Sequence, residues 1–317
     1  MSDLAFGPLG FGAAGIGNLH RSIDDGAAAA AVEAAWAGGV RYFDTAPHYG
    51  LGLSERRLGA ALKDKARGEY LVSTKVGRLL VPVDNAEGAQ DDQGFDVPAD
   101  ARRTWDPTEA GIRRSLEESL ARLGLDHVDI AYLHDPDVYD LEAGIGQALP
   151  ALEKLRAEGL VQAIGVGANS ANALLRCVQR ADLDLVMLAG RYTLLGQPAL
   201  AQLLPACTER GVGVVNVGVY NSGLLASATV RDDAHYNYAP ARREILARAR
   251  TLAACCAEFG VELPTAALHF SLRHPAVRTV VVGASSAAQM EQNVARMKEP
   301  VPEELWEALR ERGLVPA

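Results

Sequence analysis

Residues 107–134, PTEAGIRRSLEESLARLGLDHVDIAYLH, hold a helix and a strand in immediate succession. Ile112, Leu116, Leu120 and Leu123 recur at three-and-four spacing and so share one helical face, while Arg113, Glu117 and Arg122 take the other. Pro107 opens the helix and Gly124 closes it. VDIAYLH (128–134) then reads as a strand buried on both faces, ending on a polar residue, His134.

The same unit repeats outward in both directions. Short apolar runs suited to parallel strands stand at 9–12 (LGFG), 41–46 (RYFDTA), 70–76 (YLVSTKV), 163–167 (AIGVG), 185–190 (LVMLAG), 212–219 (VGVVNVGV) and 279–284 (TVVVGA). With 128–134 they make eight. Helical spacing is readable between them at 25–37, 54–64, 147–158, 171–181, 197–210 and 241–258, and no polar linker divides the chain. Eight alternating units predict a closed (β/α)8 barrel, a TIM barrel, as one domain over residues 1–317. A doubly wound open sheet is the runner-up. Two stretches break the rhythm, 77–106 and 226–240, and are expected to be long loops.

Composition sets the outer bounds. The 317 residues are 49% hydrophobic and 22% charged, which excludes disorder and a disulfide-stapled mini-protein. A net charge of -9 argues against nucleic acid and acidic membrane surfaces as partners. Cys177, Cys207, Cys255 and Cys256 show no metal-ligand spacing, and no leader or membrane-spanning run is readable, so a soluble cytoplasmic protein is expected. Glycine is over-used: 31 residues, roughly a tenth of the chain against about 7% on average. Gly10, Gly12 and Gly15 spell G-x-G-x-x-G, but no full strand precedes them and no helix opens after them, so a tight first barrel strand is preferred to a dinucleotide-binding turn of the Rossmann kind.

The polar residues that end the strands carry the chemistry. Asp44, Lys75 and His134 each stand at the carboxyl end of an apolar run, and in a barrel those ends share one rim, where active sites are assembled. Tyr49 follows five positions after Asp44. A phenol with a reference pKa of about 10 needs a cation to work near neutrality; Lys75 supplies one, Asp44 keeps it charged, and His134 orients the substrate oxygen. No metal is needed.

These residues resemble the aldo-keto reductase family over essentially the whole chain. FDTAPHYGLGLSERRLG (43–59) is similar to that family's signature after its second strand, STKVG (73–77) to its lysine strand and DIAYLH (129–134) to its histidine strand. The resemblance implies a nicotinamide-dependent barrel whose catalytic tetrad is Asp44, Tyr49, Lys75 and His134. IGVGANS, MLAGRYTLL, VYNSGLLA and VVVGASSAAQMEQN resemble the branch of L-fucose and D-threo-aldose 1-dehydrogenases and pyridoxal 4-dehydrogenase. It further implies cofactor contacts: Asn169 at the nicotinamide carboxamide; Ser222, Gly223 and Leu224 around the pyrophosphate through backbone amides; Gln289 and Asn293 at the adenosine end, with Ser285 and Ser286 in the preceding turn. Many NADP-preferring relatives carry Lys at the position of Gly283 and Arg at that of Gln289. This chain has no basic residue from 283 to 295, so NAD is expected over NADP. The usual carboxamide-binding Gln falls near Ala189 and the usual stacking aromatic near Val217, two departures from the pattern.

The function implied is oxidation of a sugar hemiacetal to a lactone, with His48 and Trp105 as substrate-pocket candidates. Pyridoxal oxidation and NADPH-dependent aldehyde reduction are enzyme alternatives. A cofactor-sensing regulatory barrel without turnover is the alternative of another class.

Overall fold

The computed structural model describes residues 4–84, 88–237 and 239–316. Eight parallel strands close into a barrel: β1 Leu9–Gly12, β2 Tyr42–Asp44, β3 Leu71–Val76, β4 Ile130–His134, β5 Ala163–Ala168, β6 Leu185–Ala189, β7 Gly213–Val217 and β8 Val277–Gly283. Each pairs with its sequence neighbours, and β8 closes on β1 with Gly12 opposite Gly283. All eight predicted strands are present and the open sheet is excluded.

Side chains alternate in and out along each strand. Inward, the lower barrel is filled by Tyr42, Ile130, Tyr132, Leu185, Met187, Val215 and Val281, with Phe6 packed edge-on against Tyr42 beneath them. Gly10 belongs to that layer: a Cβ there would stand 2.9 Å from Tyr42 and Val281. One at Gly15 would stand 2.7 Å from the Ala284 carbonyl. Two of the glycines of the G-x-G-x-x-G string thus serve close packing.

Outward, the strands bury Phe11, Phe43, Val72, Leu133, Val166, Val186, Val214 and Val282 under the ring of helices. The helix over Glu109–Leu123 buries Ile112, Leu116 and Leu123. It starts two residues later than Pro107 suggested, because the Thr108 hydroxyl accepts from the Gly111 amide at 3.1 Å and makes Thr108 the cap. Gly124, left-handed at φ 65°, ends it. Leu53–Leu62 packs so closely on this helix that a Cβ at Gly59 would collide with the Leu123 carbonyl. Glu55 and Arg122 pin the same contact, at 2.5 Å, and Thr74 of β3 donates to Glu55 at 2.7 Å.

Some boundaries differ from expectation. The helix read at 197–210 divides into a short turn, Pro198–Ala201, and Leu203–Arg210. The stretch 77–106 is not a plain loop: Arg78–Pro82 and Ala101–Trp105 form an antiparallel ribbon with Arg78 opposite Trp105. A shorter ribbon, His235–Tyr236 with Ala239–Pro240, lies in 226–240. Three helices, Leu263–Phe270, Ala287–Lys298 and Glu303–Glu311, lie beyond those read from spacing. The first is buried almost all round and so has no polar face to mark it; the second buries only Met290, Asn293 and Val294. All four cysteines are buried as free thiols. No single helix among the described residues is long and apolar enough to cross a membrane.

Candidate active site

At the carboxyl ends of the strands, three elements bring four residues together. Asp44 ends β2, Lys75 is the penultimate residue of β3, and the first turn after β2 carries Tyr49 back over the mouth. Lys75 Nζ lies 2.6 Å from Asp44 Oδ2, 3.0 Å from the Thr45 carbonyl and 3.0 Å from the Tyr49 hydroxyl. Ser73, two residues before Lys75 and on the same face, donates to Asp44 Oδ1 at 2.7 Å. Both carboxylate oxygens are therefore held by donors. Behind them Tyr42 and Tyr132 extend the chain of hydroxyls from Ser73. His134 ends β4, with its ring 6.0 Å from that of Tyr49 and nearly perpendicular to it.

Burial and charge set the protonation states. Burial pulls Lys75 toward the neutral amine, but Asp44 and Tyr49 raise it above the ordinary lysine value, so it stays an ammonium. Burial raises the Tyr49 phenol; Lys75 opposes that shift and Asp44 adds to it, and the net direction is upward. The expected pull of Lys75 on the phenol exists but does not outweigh desolvation. His134 is held far below the usual imidazole value by burial and by Arg78, Lys75, His48 and Arg103. His48 is pushed down to about 2, again by burial and then by Arg78, Arg103 and Lys75. Both imidazoles are neutral around physiological pH.

The rest of the rim is different in kind. Continuing the inward alternation past Asp44, Lys75 and His134, the top layer is completed by Gly167, Ala189, Val217, Gly283 and Gly12. None is charged and three lack a Cβ. A Cβ on Gly167 would meet Met187 and the Lys75 stem at ordinary contact distances, and one on Gly283 would have the Gly12 carbonyl at 3.8 Å as its neighbour. These strand ends leave a shelf with small or no side chains beside the relay, exposed at Gly283, half-buried at Gly12, Ala189 and Val217 and buried at Gly167, which could hold a flat nicotinamide and its ribose phosphate.

Beyond β7 the chain runs through Asn221, Ser222 and Gly223 at φ 49°, 58° and 88°. Three successive residues in the left-handed region turn the backbone sharply, and at Gly223 a Cβ would have open space around it. Leu224 sits otherwise than expected for a pyrophosphate contact: its side chain is in the core and its amide donates to the Asn221 carbonyl at 3.2 Å. After β8, Ser286 caps the helix Ala287–Lys298. Gln289 folds back, its amide oxygen 2.8 Å from the Ser285 amide and 3.2 Å from the Ser285 hydroxyl. Asn293 is buried, with its oxygen accepting from Tyr220 at 2.7 Å. Asn169 is exposed after β5 and lines a cavity of about 510 Å³ with Asn172, Arg191 and Gln202.

The substrate-pocket candidates also separate. His48 joins the relay's open side, its ring 5.4 Å from His134 and 5.3 Å from Phe95. Trp105 is wedged between the Gly77 backbone and Tyr139, on which it stacks at 5.0 Å and 3°. It anchors the ribbon.

Sequence reading missed three polar groups here. Arg78 reaches from the ribbon to Asp135, with Nη2 to Oδ2 at 2.6 Å, and Asp135 directly follows His134. Arg21, from the segment after β1, donates to Ser285 at 2.9 Å. Ser73 had a usable signal, its two-residue spacing from Lys75; the other two meet their partners only through the fold.

A closed parallel barrel with an Asp–Lys–Tyr relay and a histidine at one rim is what the sequence resemblance implied, and the chain belongs to the aldo/keto reductase family, whose profile matches residues 8–312. It is an NAD(P)-dependent oxidoreductase of that family. D-threo-aldose 1-dehydrogenase of a Pseudomonas species is 52% identical over 319 residues, covering 99% of this chain and 96% of the relative. Pyridoxal 4-dehydrogenase of Microbacterium luteolum is 36% identical, covering 97% and 94%. Among solved structures, the holo form of aldo-keto reductase AKR11C1 from Bacillus halodurans superposes with a TM-score of 0.76 at 27% identity, over 98% of this chain and 93% of that one.

Proposed function

We propose that the protein oxidises the anomeric carbon of an aldose hemiacetal to a lactone, with NAD preferred as the hydride acceptor. The observation that carries the chemistry is the contact of Tyr49 with a buried ammonium, at 3.0 Å, beside a neutral histidine. The sugar hydroxyl sits between the Tyr49 oxygen and His134 Nε2. Tyr49 takes the hydroxyl proton, the oxygen lone pair forms the lactone C=O, and the C–H electron pair leaves as hydride. When bound, oxidised nicotinamide supplies the acceptor for that hydride. Lys75 stabilises the phenolate, Asp44 and Ser73 hold Lys75 in place, and neutral His134 holds the reacting oxygen with a hydrogen bond from its Nε2–H, which it keeps. Because burial raises the resting phenol, oxidation is expected to accelerate as the pH rises into the alkaline range.

The cofactor lies across the shelf from Gly167 to Gly283. Asn169 meets its carboxamide, Ser222 and Gly223 its pyrophosphate, and Ser285, Ser286 and Gln289 its adenosine end. Gln289, turned onto Ser285, offers no charge to a 2'-phosphate. Arg21 is a cation the fold brings to this end from elsewhere. One exposed guanidinium gives less than a paired clamp, so NAD is used better and NADP retains measurable activity.

The choice of aldose rests on the 52% identical relative. A second reading, NADPH-dependent aldehyde reduction, is favoured by the raised phenol, which is a proton donor at rest. A panel of L-fucose, D-arabinose, L-galactose and pyridoxal with NAD and NADP, followed at the reduced-nicotinamide absorbance, separates them. Aldose oxidation with NAD is expected; no hydride transfer from any aldose contradicts the proposal.

A further inference from the structure

Asp135 is held in a conformation it does not choose. Its φ of 42° and ψ of 57° are left-handed, and Pro136 follows it, a combination that costs free energy for a residue with a side chain. Two contacts hold it there. Its amide donates to the Gly167 carbonyl at 2.8 Å, and its Oδ2 accepts from the buried Arg78 at 2.6 Å. The same oxygen lies 3.5 Å from His134 Nε2. The Asp135 side chain keeps 21% of its surface, so the carboxylate is not sealed off from solvent. Among the described residues, Nε of Arg78, Nε1 of Trp105 and Nδ1 of both His48 and His134 are buried without hydrogen-bond partners, as are six further side-chain atoms. Buried polar atoms in native proteins are normally satisfied, so the unpaired Arg78 Nε and His134 Nδ1 next to this carboxylate mark a place where polar groups lack partners.

We propose that Asp135, fixed by Arg78, binds the hydroxyl on the carbon next to the one that reacts, and so selects 2-hydroxylated aldoses over aldehydes and deoxy sugars that lack that group. The inference rests on the reading above, which puts the reacting oxygen between Tyr49 and His134 Nε2. Vicinal hydroxyl oxygens stand about 3 Å apart and Asp135 Oδ2 stands 3.5 Å from His134 Nε2, so two neighbouring hydroxyls can each meet one of these atoms. A carboxylate accepts and cannot donate, so it accepts a hydrogen bond from that hydroxyl while the His134 N–H remains directed at the reacting oxygen. The structural strain then has a purpose: it brings a carboxylate to the histidine without lengthening the loop.

The test crosses the residue with the substrate hydroxyl. Wild-type protein and Asp135→Asn are compared on an accepted aldose and its 2-deoxy analogue, with kcat/KM read for each; Asn tolerates the left-handed backbone. The wild type is expected to prefer the hydroxylated sugar by about tenfold to a hundredfold, the worth of one hydrogen bond to a charged group, and the variant to lose most of that ratio. The double variant Arg78→Gln with Asp135→Asn removes both charges and keeps the comparison available if the lone arginine prevents folding. Aldose oxidation with the same deoxy ratio in wild type and variant overturns this inference alone. Failure of the wild type to oxidise any aldose overturns it together with the function on which it rests.

Discussion

The two halves of the barrel mouth are built on opposite principles. Over β2, β3 and β4 every inward top residue is polar and buried: Asp44, Lys75 and His134 are 3%, 2% and 6% exposed, and the first two are bonded to each other. Over β5 to β8 and β1 the same layer is Gly167, Ala189, Val217, Gly283 and Gly12. The first half needs fixed charges in a dry setting, because an ammonium beside a phenol is worth most where water does not screen it. In the proposed function the second half needs the reverse, a surface with few side chains on which a flat cofactor can come close. The glycine excess is partly explained by this division.

Breaking the polar half should have the largest effect. Lys75→Met leaves the Asp44 carboxylate buried without its ammonium, which destabilises by about 3 kcal/mol if the carboxylate stays charged. Thermal unfolding should show the loss, and turnover should fall by at least about a hundredfold. A variant with wild-type melting would mean that the pair contributes nothing to the fold.

The bare half should respond differently. A Cβ at Gly283 meets no atom closer than 3.8 Å, so Gly283→Val should fold with an unchanged melting temperature yet weaken nicotinamide dinucleotide binding by roughly tenfold. Loss of stability with intact cofactor affinity would reverse the roles assigned to that strand end.

A pH titration of stability sharpens the contrast. His48 and His134 have depressed values in the folded chain, while in the unfolded chain they titrate near about 6.5. Below that pH the unfolded state binds protons that the folded state does not, so stability falls as pH drops; above it these residues have no effect. Between pH 6.5 and 5 each contributes up to about 1.4 kcal/mol per unit. His48→Asn should therefore flatten the dependence by about one proton. An unchanged slope would place a charged or solvent-equilibrated imidazole at that position.

The smallest effect is expected at the far end of the shelf. Arg21→Ala should reduce kcat/KM with NADP by a few fold and leave NAD unaffected, as befits one exposed charge. Equal losses with both cofactors would make Arg21 a support for the Ser285 turn.

How much of this was legible follows the same division. Asp44, Lys75 and His134 could be found because each is a polar residue ending an apolar strand, and barrel topology places such ends together. Tyr49 came with them through its short loop. Ser73 was legible in principle from the two-residue period. Arg78, Asp135 and Arg21 were not, since their partners are 57 and 264 positions away and depend on the ribbon and on the meeting of two rim loops. The ribbon itself escaped because its strands are short and half-buried, with no clean alternation. On the bare half, the sequence did not reveal that the Leu224 side chain lies in the core and that its amide donates to the Asn221 carbonyl, since both depend on the turn after β7.

The central claim is that Tyr49 serves the reacting oxygen and not the dinucleotide. Tyr49→Phe, measured for steady-state aldose oxidation and for NAD affinity by fluorescence titration on the same preparation, tests it. Turnover should fall by about a thousandfold or more while the NAD dissociation constant stays within about twofold. Retained turnover, or a large loss of NAD binding, would contradict the account.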